Sequence, residues 1–173
     1  MRYGMTLLCC AAVVVGCGSS ADKETFHASL TAAAELPVPN VNSPPPSGTA
    51  QFTNNGNGTV SYTVTGQNTT ATATGVTPAN NYSGMHIHLG AAGVIAGVTV
   101  PLTTPTNGSN SFTVTGTFTS ATCASGAVNC INTGSTLDAV LNAMRTGGAY
   151  INVHTQPRNP GGEMRGQIQT GGL

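Results

Sequence analysis

The sequence predicts an all-β protein: a Greek-key-like antiparallel β-sandwich or barrel of about eight strands with one short helix. Three observations predict it. Apolar and polar residues alternate with period two along the chain, and Gly/Pro/Asn clusters separate the runs. The composition is rich in Thr (27 residues) and Gly (23 residues), and only 6% of residues are charged, against about 25% in an ordinary soluble domain. Helical spacing occurs in one segment. The same composition excludes other classes. A formal net charge of zero leaves no basic excess to neutralise phosphates, so nucleic acid is not an expected partner. An apolar fraction of 39% with so little net charge argues against a disordered chain.

The N-terminus reads as an address. Arg2 precedes a short apolar run that ends Val14-Val15-Gly16-Cys17. The run is about half the length a bilayer-spanning helix needs. It therefore reads as a secretory signal. Two aliphatic residues, a small residue and Cys resemble the bacterial lipobox, in which the Cys is lipidated and becomes the mature N-terminus. The expected organisation is a lipoprotein signal peptide over residues 1–16, a lipidated Cys17 with a short tether over residues 17–24, and one domain over residues 25–173. The expected location is the bacterial cell envelope, outside the cytoplasm, with the membrane as a partner through the lipid.

The body then reads strand by strand. Phe26, Ala28 and Leu30 alternate with His27 and Ser29. The proline-rich residues 37–46 form a loop. Ala50 and Phe52 form the next run, and Val60, Tyr62 and Val64 the one after. Asn54-Asn55-Gly56-Asn57-Gly58 between them is a hairpin signal, because Asn and Gly accept positive φ. Met85-Ile87-Leu89, Val98-Val100-Leu102, Phe112-Val114-Phe118, Ile151-Val153 and Met164-Gly166-Ile168 complete the strands. Thr on the outward positions keeps β propensity without charge. Cys123 and Cys130 read as a disulfide, which an exported chain permits. The alternative, a metal-binding Cys pair, suits closer spacing and a nearby His. The helix starts at Ser135-Thr136-Leu137-Asp138, a capping-box-like sequence. Leu137, Val140, Leu141 and Met144 form its apolar stripe, and Gly147-Gly148 ends it.

The histidines carry the candidate chemistry. Alternation places His86 and His88 on one strand face, with Ile87 opposite. Tyr150, Asn152 and His154 likewise share a face opposite Ile151 and Val153. If the two strands are neighbours, three imidazoles meet, a set that binds Cu or Zn and leaves a position open. Glu163, after a Gly161-Gly162 turn, is a weaker candidate as a fourth ligand or supporting partner. The other reading of these histidines is structural: imidazoles that hydrogen-bond nearby backbone at a sheet rim. No nucleophile elbow, oriented catalytic base or phosphate-binding Gly loop is present, so no catalytic residue is assigned.

Three stretches resemble the CHRD domain, the module named after chordin. Residues 28–39 resemble its opening. Gly84-Met85-His86-Ile87-His88-Leu89-Gly90, with residues 98–102, resembles its A-H-I-H-x-G segment and the following strand. Ala149-Tyr150-Ile151-Asn152-Val153-His154-Thr155, with residues 159–168, resembles its closing Y-V-N-V-H-T…N-P-x-G-E-I-R-G-Q-L signature. The departures are the insert around Cys123 and Cys130 and Met85 in place of Ala. The resemblance implies an extracytoplasmic β-sandwich module without a settled activity. His86, His88, His154 and Glu163 fall on matched positions.

Gly84-Met85-His86-Ile87-His88 is also similar to the G-F-H-V-H strand of copper/zinc superoxide dismutase. That family needs further histidines and an Asp for its second metal. Here only Asp22 and Asp138 occur, one at the tether and one in the helix, so full dismutase chemistry is rejected. The expectation is a lipid-anchored, non-enzymatic module that binds a protein or small ligand. The alternative is a Cu- or Zn-binding protein or redox enzyme distantly similar to the dismutase.

Overall fold

The structure, a computed structural model, describes residues 23–72, 75 and 77–172. The signal segment, Cys17 and the tether as far as residue 22 lie outside the described residues. Among the described residues, nine strands and one α-helix follow in order, with a single 3-10 turn at Ala32–Ala34 after the first strand. These are β1 (Glu24–Thr31), β2 (Ser47–Asn54), β3 (Thr59–Gln67), β4 (Asn81–Leu89), β5 (Val98–Pro101), β6 (Phe112–Thr119), α1 (Leu137–Arg145), β7 (Ala149–Gln156), β8 (Asn159–Gln167) and β9 (Gln169–Thr170). All named strand pairs are antiparallel. The sheet runs β5-β4-β7-β8-β1-β2-β3-β6, with β9 beside β1. Its non-consecutive neighbours, β4 with β7, β8 with β1 and β3 with β6, supply the expected crossovers.

Alternation decides what each strand buries. Phe26, Ala28 and Leu30 of β1, Ala50 and Phe52 of β2, Val60, Tyr62 and Val64 of β3 and Phe118 of β6 enter one core. The interleaved Thr and Ser residues pair across the outer face, as where Thr49 Oγ1 meets Thr65 Oγ1 at 2.9 Å. The β2–β3 turn has the expected chemistry. Gly56 and Gly58 adopt φ of 74° and 81°, and Asn54 Oδ1 accepts from Gly56 N–H.

The insert carrying the Cys123–Cys130 disulfide nearly closes the sheet into a barrel. It lies between the edge strands β5 and β6. Asn129 N–H donates to Pro101 O of β5 at 2.7 Å, and Asn129 O accepts from Thr119 N–H of β6 at 3.1 Å. Asn132 N–H donates to Thr99 O at 2.8 Å. Asn129 Oδ1 also accepts from Tyr62 O–H at 2.7 Å. Two edges that would otherwise expose ladder groups are thus joined through one short segment.

Two local expectations shift. The helix is capped by Thr136, whose Oγ1 accepts from Ala139 N–H at 3.2 Å, rather than by Ser135. Thr136 holds the extended backbone an N-cap needs, and Asp138 and Arg145 then fall in the first and last turns. The turn before Glu163 is not at Gly161-Gly162. The chain reverses at Pro157-Arg158, where Pro cannot continue the ladder, and both glycines lie within β8.

Candidate metal centre

The site lies on the outer face of β4 and β7. Met85 and Ile87 point into the core, so Gly84, His86 and His88 point out. Ile151 and Val153 point in, so Tyr150, Asn152 and His154 point out. The strands pair with Gly84 opposite His154, His86 opposite Asn152 and His88 opposite Tyr150. A bulge between Tyr82 and Gly84 sets this register, letting Tyr82 and Met85 both enter the core. The three imidazoles gather as a result. One ligand nitrogen from each of His86, His88 and His154 lies within 4.8 Å of the others. The His86 ring centroid is 5.0 Å from that of His154 and 5.8 Å from that of His88.

Two loops cover this outer face. Residues 90–97 are tied down by four side chains. Ala96 O is 2.9 Å from His88 Nδ1, and Ala96 N–H donates to Tyr150 Oη at 3.1 Å. Arg165 donates to Val94 O and Ala91 O, and Gln167 donates to Gly90 O. The Arg165 guanidinium sits 3.3 Å above the Tyr150 ring, which stacks on His88 at 4.7 Å and 4°. His88 is therefore fixed in a three-layer stack. From the other side, the loop after β1 brings in Glu35, which is 2% exposed. Its Oε1 accepts from Leu36 N–H, and its Oε2 lies 3.5 Å from the Asn152 amide. Gly162, at φ +133°, makes room for it: a Cβ there would lie 2.2 Å from Glu35 Oε2.

Burial sets the protonation of the site. It pushes the His86 imidazole down to about 4, helped by His154 and His88. Burial also lowers His88 and His154, against the raising effect of their backbone hydrogen bonds. All three therefore present neutral rings with lone pairs at neutral pH. Burial raises the Glu35 carboxyl above its ordinary value, against hydrogen bonds and Arg165 that lower it.

The hydrogen-bond inventory shows which lone pairs are free. His154 Nδ1 is 3.0 Å from Pro160 O, as His88 Nδ1 is 2.9 Å from Ala96 O. A carbonyl at Nδ1 fixes the proton there and leaves Nε2 as the ligand atom, the arrangement that supports metal-bound His. His86 Nδ1 and His154 Nε2 are buried with no hydrogen-bond partner among the described residues.

Glu163 is placed elsewhere. It is fully buried, and its Oε1 accepts from Thr70 N–H. Thr70 in turn joins Asn80, Thr155 and Asn159. Glu163 thus anchors residues 69–72 through Oε1, its Oε2 is buried with no partner among the described residues, and it is not part of the three-imidazole group. Three site residues escaped the sequence reading in their roles. Asn152 and Tyr150 were visible by alternation with His154. Glu35 comes from a remote loop and left no local signal.

The family model of the CHRD domain matches residues 26–168, a span that holds all three histidines. No curated protein and no solved structure matches the chain.

Proposed function

The chain belongs to the CHRD domain family, and from that premise we propose a non-enzymatic binding module, held at the bacterial cell envelope by a lipidated Cys17, whose ligand is a Cu or Zn ion on His86, His88 and His154. One observation carries the metal reading: two buried imidazole nitrogens inside a three-imidazole cluster have no hydrogen-bond partner among the described residues. A buried polar atom left without a partner costs about 1–3 kcal/mol. An ion shared by the three rings would satisfy both atoms at once. The chemistry of the donor set agrees, since neutral imidazole suits Zn and Cu. Glu163 bonds Thr70 through Oε1 and Glu35 lies behind Asn152, and neither carboxylate is in the group of ligand atoms that lie within 4.8 Å of one another. That favours holding an ion over turning over a substrate.

The envelope location rests on the lipobox-like residues before Cys17 and on the disulfide, which suits an oxidising compartment. The test of the metal reading is thermal. Zn(II) or Cu(II) at a hundred times its Kd should raise the melting temperature of tag-free protein by about 5–10 °C. His86→Ala, His88→Ala and His154→Ala should each reduce that rise. An equal rise in all three variants would place the ion elsewhere.

A further inference from the structure

We infer that Asn152 holds the third ligand position of the ion-free site, so that an ion received by His86 and His154 recruits His88 only by displacing the Asn152 amide. This rests on the metal reading above. The unpaired nitrogens belong to His86 and His154, whereas both nitrogens of His88 are engaged. Nδ1 lies 2.9 Å from Ala96 O, and Nε2 lies 3.0 Å from Asn152 Oδ1.

A neutral imidazole has one N–H and one lone pair. The carbonyl of Ala96 can only accept, so it takes the N–H at Nδ1. Nε2 then has only a lone pair to offer, so the Asn152 amide turns its Nδ2 rather than its Oδ1 to His88 and donates to it. That lone pair is what an ion needs, and the amide stands against it.

The ring cannot turn away to resolve the competition. Tyr150 lies parallel to it at 4.7 Å, and Arg165 caps Tyr150 from the far side. Asn152 is the movable partner. It is 3% exposed and sits opposite His86 in the ladder. Its other end meets Glu35 Oε2 over a long 3.5 Å, so the amide is loosely held on that side. Glu35 is held there by the space at Gly162 and by its bond from Leu36 N–H.

The test is Zn(II) titration by chelator competition, on the full chain purified in detergent without a His tag. Asn152→Ala should bind Zn(II) about five- to tenfold tighter than the unmodified protein, the range set by one modest hydrogen bond. The gain should vanish when His88→Ala is added, because the competition exists only at His88. Equal binding by Asn152→Ala, or a gain that persists without His88, overturns the inference. Weaker binding also overturns it and makes Asn152 a ligand. A second measurement needs no variant: the side-chain amide NMR signals of Asn152 should move as Zn(II) is added, and unmoved signals overturn the inference. Absence of any Zn(II) or Cu(II) uptake by the unmodified protein sinks the metal reading and this inference together. Uptake without the Asn152 pattern sinks this inference alone.

Discussion

His86 leans back over Gly84. A Cβ at Gly84 would lie 2.5 Å from His86 Cε1 and 2.8 Å from its Nε2. The obstacle is a ring rather than backbone, so Gly84→Ala should still fold, at a cost of about 1–3 kcal/mol for overpacking. The ring would be pushed from its position beside His154. Metal affinity should then fall about 10–100-fold, the scale of disturbing a ligand's support. Titration and a thermal melt on the same sample check this. Unchanged affinity would mean that the His86 position does not matter to the ion.

The Asn129 bridge makes a second prediction. Replacing both Cys123 and Cys130 with Ala should cost roughly 2–3 kcal/mol in the chain-entropy account of a short loop. The loss should be local as well as global. Amides of Thr119, Asn129 and Asn132, which bond across the β5–β6 gap, should exchange faster with solvent. Unchanged exchange at these amides would show that the insert closes the barrel without the disulfide.

Acid should unfold the protein through its histidines. The unfolded imidazoles titrate near 6.5, while burial holds His86 at about 4 and also lowers His88 and His154. Below 6.5 the unfolded state binds more protons, so stability rises with pH across that window. It is complete above about 6.5 and is lost as pH falls toward 4. Glu35 has the opposite slope, because its raised folded value makes the folded state the better proton binder above 4.5. Denaturant midpoints should therefore fall from neutral pH to about pH 4, and His86→Asn should flatten that limb. An equal slope in the variant would remove His86 as its cause.

The anchor is tested in cells. Cys17→Ala should release the protein from the membrane to the soluble envelope fraction. Continued membrane retention would contradict the lipobox reading of Val14-Val15-Gly16-Cys17.

Strand faces were legible because they depend on local period. His86 and His88 had to share a face, and the Ile151-Val153 alternation put His154 outward with Asn152 and Tyr150. The β2–β3 turn followed from Asn-Gly chemistry in the same way. What stayed hidden depends on partners far along the chain. Glu35 meets Asn152 across 117 residues, and Glu163 meets Thr70 across 93. No local pattern separates Glu163 beside His154 in sequence from Glu163 buried against another segment. The role of the Cys insert was hidden too, since two Cys predict a bond but not the two edge strands it joins.

Whether the three imidazoles hold an ion is decided by metal analysis of tag-free protein loaded with Cu(II) or Zn(II) and dialysed. About one ion per chain should be retained, and it should be lost when His86, His88 and His154 are all replaced by Ala. Retention below about 0.1 ion per chain, with an unchanged melting temperature, would contradict an ion at these histidines.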